Sequence, residues 1–270
     1  MKLIKGHAYG NDFLLVDRRQ LERGADVPAL ARAVCERHRG IGADGLIVFD
    51  ASGRRTTMRL LNADGSYSEI SGNGLRCLAA WIAMTDGARP GGTIEVETDA
   101  GVKALHLLDA TNGTFRFRAA MGHPERIERV TLDVAGRGFE VVTLRVGNPQ
   151  CVVLGEVTRE RLHTVASALA VHSHFPEGSN VELATVEAPD RVRILIWERG
   201  VGPTEASGTG ACAAAVAAAS FGGASRDVEV VAPGGSQRVE WTNEGIYLTG
   251  SATIVAEVDY RGERIVRTPG

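Results

Sequence analysis

Two short segments of this chain are nearly the same, and each begins an apolar run of small residues. Residues 71–74 read Ser-Gly-Asn-Gly, and residues 207–210 read Ser-Gly-Thr-Gly, 136 positions later. The Gly-Asn step at 10–11 recurs at 147–148, and Asp44 matches Asn180 at nearly the same spacing. The repeat predicts two equivalent lobes, whose Ser-Gly-x-Gly loops face each other across a pseudo-twofold cleft.

This predicted symmetry restricts the chemistry that the chain could perform. Two equivalent groups, one from each lobe, could approach one small molecule from opposite faces. Such an arrangement is what a two-base proton transfer at a carbon atom requires.

The pattern of elements predicts an α+β fold. With 270 residues the chain is long enough for two cores. Most segments alternate as strands do, and each half has one Ala-rich helix that starts at its Ser-Gly-x-Gly loop. Because small side chains let a helix pack close to β-structure, we expect each lobe to be a strongly curved, mostly antiparallel sheet wrapped around a central helix. The expected lobes are residues 1–119 and 120–257.

Charge and composition exclude several classes of partner. A net charge of −3, with Lys and Arg scattered, indicates neither nucleic acid nor a membrane surface as a partner. The start of the chain has a Lys inside what would be the apolar part of a signal peptide, so we expect a cytoplasmic protein. The run at 211–221 is too short to span a bilayer and indicates a buried helix.

The four cysteines show no metal-type spacing, and a protein that is not exported keeps its thiols reduced. We therefore expect four free thiols and no metal. The close pair His172 and His174 lacks nearby Cys or acidic partners, which is typical of a surface loop or strand rather than a metal site.

Ser71 and Ser207 allow two interpretations. Serine is a common helix N-cap, which accepts a hydrogen bond from the second or third helical N–H. The occurrence of both at matched positions favours a functional role instead. The free N–H groups of two helix N-termini would then converge on one place, which favours an anion such as a carboxylate.

Other polar residues fall at strand ends and turns. Glu198 and Arg199 end a strand beside two glycines, which indicates either a solvated strand end or a close approach of the backbone to a ligand. Asn is at home in turns for conformational reasons, but its amide could also serve an amino acid's ammonium and carboxylate. The asparagines in question are Asn11, Asn62, Asn148 and Asn180.

Seven motifs spread along the chain together strongly resemble the diaminopimelate epimerase family. They are His-Ala-Tyr-Gly-Asn-Asp-Phe at 7–13, Gly-Ile-Gly-Ala-Asp-Gly at 40–45, Asn-Ala-Asp-Gly-Ser at 62–66, Gly-Asn-Gly-Leu-Arg-Cys at 72–77, Gly-Asn-Pro at 147–149, Phe-Pro-Glu-Gly-Ser-Asn-Val at 175–181 and Glu-Arg-Gly-Val-Gly at 198–202. The resemblance implies the family's two-lobed fold, a C-terminal segment at about 258–270 that returns to the first lobe, a homodimer and no cofactor.

The resemblance also implies an activity and a set of site residues. The family interconverts LL- and meso-diaminopimelate for lysine and peptidoglycan synthesis, removing the α-proton on one face and reprotonating on the other. The matching motifs imply the catalytic acid and base at Ser71 and Ser207, and backbone groups of Gly72, Asn73, Gly208 and Thr209 on the α-carboxylate. The side chains implied to bind substrate are Asn11, Asn62, Asn148, Asn180, Glu198 and Arg199.

The sequence departs from the family pattern at the reacting positions. The family has Cys where this chain has Ser71 and Ser207, usually has His at Gln150, and commonly has Glu at Pro203. A thiol with a pKa of about 8.5 can be brought near neutrality by a helix N-terminus, whereas a serine hydroxyl starts several units higher and requires an adjacent base.

Three explanations of these departures remain open at the level of sequence. The serine pair could work with help from Glu198 or another carboxylate. The serines could instead be engineered replacements of cysteine that bind substrate without turnover. The chain could also be a relative with other chemistry, such as a dehydratase or another racemase, or a non-catalytic amino-acid binder.

Overall fold

The computed structural model describes residues 1–68, 71–99 and 101–262. The chain divides into two compact units: unit 1 comprises Met1–Arg118 together with the chain from Ser251 onward, and unit 2 comprises Ala119–Gly250. The sequence placed the first boundary after residue 119 and the return of the chain at about 258. Part of that expected segment, 263–270, lies outside the described residues.

Unit 1 consists mainly of strands, with two α-helices and a short 3-10 helix at Arg18–Gln20. Helix α1 follows Asp26, whose side chain caps it by accepting from the Ala29 N–H. The elements are β1 (Lys2–Ala8), β2 (Asn11–Asp17), α1 (Val27–Cys35), β3 (Gly45–Asp50), β4 (Thr56–Asn62), β5 (Tyr67–Ser68), α2 (Gly72–Thr85), β6 (Thr93–Thr98), β7 (Gly101–Thr111) and β8 (Thr114–Gly122), whose last residues enter unit 2.

Unit 2 has a similar succession of elements. They are β9 (Glu125–Val134), β10 (Arg137–Val146), β11 (Asn148–Leu154), α3 (Arg159–Arg161), a π-helical turn (Leu162–Ala166), α4 (Ser167–Ala170), β12 (Asn180–Ala188), β13 (Arg191–Glu198), β14 (Gly202–Thr204), α5 (Gly208–Ala217), a second π-helical turn (Ala218–Gly222), β15 (Asp227–Ala232), β16 (Gly235–Thr242) and β17 (Gly245–Asp259), which continues into unit 1. The π turn at Leu162–Ala166 thus connects two short α-helical pieces.

The strands of the two units pair in the same order. In unit 1, β1–β2 is antiparallel, β2–β3 parallel, β3–β4 antiparallel, β4–β6 parallel and β6–β7 antiparallel. Unit 2 repeats that series of directions in the pairs β10–β11, β11–β12, β12–β13, β13–β15 and β15–β16. The repeat seen in the sequence therefore extends to the strand pairing within each unit.

Helix α5 lies in the interior of unit 2. From Ala211 to Ala217 every residue is buried, and the helix packs against β10, β11, β12, β13, β15 and β16. Its side chains are almost all methyl groups or hydrogens, so strands can approach it on several sides. The π turn that follows ends at Gly223, whose φ of 79° is the left-handed conformation that glycine adopts at helix ends.

Helix α2 has the corresponding place in unit 1, where it packs against β1, β2 and β6. The buried part of the helix runs from Asn73 to Ala80 and includes Arg76. Helix α1 packs against β3 and β4, and its buried residues join a separate core with Leu14, Val16 and Leu46. The expected α+β fold with mostly strands and few helices is confirmed. Within the described residues, no helix is both long and apolar enough to cross a membrane.

Two glycines of unit 1 make a matched stability test. A methyl group on Gly45 would lie 2.7 Å from the Leu61 carbonyl oxygen, a backbone atom of the paired strand, whereas one on Gly72 would meet nothing within 4 Å. We predict that Gly45→Ala lowers the free energy of unfolding by about 1–3 kcal/mol, because the strand must shift. Gly72→Ala should leave it within about 1 kcal/mol of the parent. Urea unfolding of both variants measures this, and equal midpoints would contradict it.

Candidate active site

The N-termini of α2 and α5 have the same cap geometry. Ser71 and Ser207 have extended backbone angles, and each hydroxyl oxygen accepts a hydrogen bond of 3.2 Å from the N–H three residues later, at Gly74 and Gly210. Both serines are therefore helix N-caps, as one interpretation of the sequence expected. The other N–H groups of each first turn have no partner inside their own helix, so each terminus carries a partial positive charge.

Asn11 and Asn73 lie together at the α2 terminus. The Asn73 amide donates to Asn11 Oδ1 at 3.2 Å, and Asn11 Nδ2 donates to Asp44 Oδ2 at 2.7 Å. Arg76, 2% exposed, donates to Asn73 Oδ1, and its guanidinium lies 5.7 Å from the centre of the Tyr9 ring. These contacts fix the orientation of the Asn11 side chain, which was predicted to bind substrate, and of the Asn73 side chain, whose backbone was predicted to hold the carboxylate.

A charged network supports this end of unit 1. Asp12, which is 8% exposed, is 2.8 Å from Lys5 Nζ and 2.9 Å from Arg37, and Arg37 also contacts Asp44 at 2.7 Å. Burial acts to raise the pKa of Asp12, but the hydrogen bonds and charges of Arg37 and Lys5 outweigh it and hold this pKa below the ordinary value. The network holds Asp44 against Asn11.

Asn62 is exposed at the end of β4 and lies opposite Gly45 in the strand register. Its side chain donates to Ser66 Oγ at 2.9 Å, within the turn that the Asn-Ala-Asp-Gly sequence predicted. The amide thus stabilises its own turn.

Asn148, Asn180 and Arg199 form a group in unit 2. Gln150 Nε2 donates to Asn148 Oδ1 at 2.5 Å, and Gln150 lies opposite Asn180 in the parallel pair β11–β12. The Asn180 side-chain oxygen accepts from the Arg199 backbone N–H at 2.9 Å, and the Arg199 guanidinium donates to the Glu177 carbonyl at 3.0 Å. Glu198, at the end of β13, is half-buried.

The sequence reasoning missed Glu182 on β12. This side chain is 0% exposed, and neither carboxyl oxygen has a hydrogen-bond partner within the part of the chain that the structure describes. Burial raises the pKa of Glu182 well above its ordinary value, and the charge of Glu198 adds to the rise. A signal was present, because a Glu at 182 interrupts a strand that otherwise reads as buried.

The strand register corrects one matched pair of the repeat. Phe13 on β2 lies opposite Gly45 on β3. The residue of unit 2 that corresponds to Phe13 is Gln150, and it lies opposite Asn180 on β12. The counterpart of Asn180 is therefore Gly45 and not Asp44. By the same register the counterpart of Glu182 is Ile47.

All four cysteines are free and buried. Burial raises the pKa of Cys77 to about 12, so its thiol stays protonated in the interior of unit 1. Among the described residues, no three His, Cys, Asp or Glu side chains lie close enough together to hold a metal ion.

The charged network around Asp12 predicts that the stability of the protein depends on pH. The folded state holds the pKa of Asp12 below its unfolded value of roughly 3.9. The ionised carboxylate therefore stabilises the protein at pH values above roughly 3.9, and this stabilisation is lost as the pH falls through the lower pKa of the folded state. We predict that Asp12→Asn lowers the free energy of unfolding by about 2 kcal/mol at pH 7 and that this difference shrinks below about pH 4.

Asp227→Asn is the control, because the Asp227 and Arg238 side chains are 53% and 58% exposed. An exposed ion pair is worth at most about 1 kcal/mol. Denaturant titrations of both variants from neutral to acid pH give the measurement. A pH-independent effect of Asp12→Asn would overturn the account.

A model of the family described as diaminopimelate epimerase matches residues 3–127 and 142–255. Among curated relatives, the diaminopimelate epimerase of Moorella thermoacetica is 39% identical, over 96% of this chain and 99% of its own length. That of Desulfitobacterium hafniense is 38% identical, over 94% of this chain and 96% of its own.

A solved structure agrees with the fold. A protein from Pseudomonas aeruginosa, described as a predicted epimerase, superposes with a TM-score of 0.71 at 17% identity, covering 97% of this chain and 99% of that one. The resemblance in the seven sequence motifs is thus confirmed by matches over nearly the whole length. The chain belongs to the diaminopimelate epimerase family, which places it among the isomerases of lysine biosynthesis.

Proposed function

We propose that this protein interconverts LL- and meso-diaminopimelate by two-base proton transfer at the α-carbon, with Ser71 and Ser207 at the positions of acid and base. The observation that carries the proposal is the matched pair of capped helices. Each serine precedes a glycine-rich first turn, and each hydroxyl has the same 3.2 Å contact to a helix N–H. A two-base reaction needs one such group for each face of the substrate.

The helix N-termini suit the substrate's carboxylate. Unpaired N–H groups and the helix dipole favour an anion, so the backbones of Gly72 and Asn73 and of Gly208 and Thr209 are proposed to hold the α-carboxylate. The further proposed contacts come from side chains that the structure groups near these termini or at strand ends. They are Asn11, Asn62, Asn148, Asn180, Glu198 and Arg199.

Several finer expectations belong to the same proposal. We take each lobe to be a strongly curved sheet around its central helix, with the substrate cleft where the sequence repeat predicted it. The proposed enzyme is a cytoplasmic homodimer that uses no cofactor. The family match and the repeated strand order within the two units support this proposal.

The serines set a chemical requirement. A helix N-terminus contributes up to about 2 kcal/mol, and one pKa unit corresponds to about 1.4 kcal/mol. This suffices to bring a thiol near neutrality but leaves a hydroxyl far above it. Proton abstraction through serine therefore needs a neighbouring base. At the position where the family usually has His, this chain has the buried Gln150, and it has Pro203 where Glu is common.

A second candidate is an amino-acid binder without catalysis. The observation in its favour is that both hydroxyl oxygens already accept a hydrogen bond from a helix N–H, which is the usual structural role of a serine N-cap. In this case the helix termini and the asparagines would still bind an amino acid, but no α-proton would be exchanged.

Deuterium exchange separates the two candidates. The protein is incubated in deuterated water with each diaminopimelate isomer, and α-deuterium is followed by mass spectrometry while calorimetry measures binding. We expect deuterium at the α-carbon together with the second isomer. A measurable heat of binding without any deuterium would replace the epimerase by the binder.

Replacement of both serines by cysteine tests whether the hydroxyls limit the rate. We predict that Ser71→Cys with Ser207→Cys raises the exchange rate by at least ~10-fold near pH 8, because a thiol at a helix N-terminus ionises far more readily than a hydroxyl. The control carries Ser52→Cys and Ser225→Cys, one exposed serine from each unit, and should match the parent. No gain in the first variant would show that missing thiols do not limit this scaffold.

A further inference from the structure

Glu182 lies on the face of its strand that is turned to helix α5. On β12, Val181 and Leu183 belong to the core on the α4 side, whereas Ala184 belongs to the core that contains the α5 residues. Side chains alternate along a strand, so Glu182 shares the face of Ala184. A carboxyl group therefore lies against a core of hydrophobic residues, most of them Ala, Val and Ile.

The carboxyl group lies against the first turn of α5. A methyl group on Gly210 would be 2.6 Å from Glu182 Oε1 and 3.2 Å from Ser207 Cβ. Gly210 is also the residue whose N–H is bound by Ser207 Oγ. The Glu182 carboxyl and Ser207 Cβ thus both lie against the Cβ position of one glycine, and only glycine leaves room for both.

Two more unpartnered polar atoms lie on the same face. A row of paired residues crosses the strands from β11 to β14 and consists of Val152, Glu182, Ile196 and Thr204. Gln150 precedes Val152 by two residues and shares its face. Gln150 Oε1 and Thr204 Oγ1 are buried without a partner, as are both oxygens of Glu182, within the described residues. In the described part of the chain, four buried oxygen atoms without a partner therefore belong to residues on this sheet face.

The corresponding place in unit 1 is apolar. A methyl group on Gly74 would lie 3.1 Å from Ile47 Cδ1 and 3.3 Å from the Phe13 ring. Ile47 is the counterpart of Glu182, and Phe13 that of Gln150. The two serines therefore have the same caps, but within the described residues the cap glycine after Ser207 meets a carboxyl group, whereas the one after Ser71 meets Ile47 and Phe13.

We propose that Glu182 is the buried proton acceptor that makes Ser207 a base, an inference that rests on the proposed function. The structure shows no hydrogen bond from the Ser207 hydroxyl to Glu182, so substrate binding must turn this hydroxyl towards the carboxylate. As the α-carbon to hydrogen bond breaks, its proton passes to Ser207 Oγ, and the hydroxyl proton of Ser207 passes to the Glu182 carboxylate. The products are a carbanion at the α-carbon, a neutral serine and a neutral carboxylic acid. On the return path Ser207 gives a proton to the carbanion and takes the proton of the Glu182 acid, which restores the substrate. The α-carbon gains deuterium where the Ser207 hydroxyl proton has first exchanged with solvent. Glu182 acts through Ser207 and is a positioning residue.

The surroundings of Glu182 decide how its protonation responds to pH. Glu198 on β13 and Cys151 on β11 are the titratable groups that interact with it. Helix α5 brings Cys212 and no charged side chain, and β14 brings none. Burial and Glu198 both favour the neutral acid, so the carboxylate that accepts the proton becomes more populated as pH rises.

The test follows α-deuterium exchange of bound diaminopimelate as a function of pH. We expect the parent's exchange rate to rise with pH, and Glu182→Gln to lower it by at least ~100-fold and remove the pH dependence. Ser207→Ala should lower it to the same level, and the double variant no further, because the two side chains act as one unit. Glu187→Gln, an ion-paired residue on the same strand, should match the parent.

Glu182→Ile is a second variant, and it introduces the residue that unit 1 has at the equivalent position. We expect this variant to fold and to lose deuterium exchange as Glu182→Gln does. Calorimetric binding of diaminopimelate should stay within about threefold in all variants. Exchange in Glu182→Gln or Glu182→Ile within about threefold of the parent would overturn the relay and leave the proposed function standing. Absence of exchange in the parent itself would overturn the proposed function, and the relay with it.

Discussion

The interior position of α5 is the constraint on which unit 2 depends. A helix made of Ala and Gly with one Thr, one Cys and one Val has no charged side chain to turn to water, so strands must cover it on several sides. The same small side chains bring the strands near, and the first turn of the helix is then enclosed by sheet residues. The N–H groups of this turn are polar groups at the edge of an apolar core, and the buried Glu182 carboxyl lies against the turn at Gly210.

Much of this arrangement was predictable because it depends on patterns that a sequence carries directly. The Ser-Gly-x-Gly repeat predicted two helix starts, and both begin at the following glycine. The capping interpretation of Ser71 and Ser207 needed only the known preference of serine for this position. The predominance of strands followed from alternating apolar residues.

The remainder depended on contacts between distant residues. Asp44 was matched to Asn180 by spacing, but strand register moves the match by one residue to Gly45, which places a different side chain on the helix-facing side. Glu182 was overlooked because a single Glu in a strand is usually solvent-exposed. Its burial follows from the register of four strands and from the lack of a side chain at Gly210.

The path of β17 has a consequence for the order in which the protein can fold during synthesis. Residues 119–250 form unit 2 as one continuous stretch, whereas unit 1 needs the chain from Ser251 onward. The first strand, β1, pairs with the second half of β17, from Thr253 to Asp259. During synthesis β1 must therefore wait for a strand that is made only after unit 2. Unit 2 can close first, and unit 1 remains incomplete until β17 has emerged.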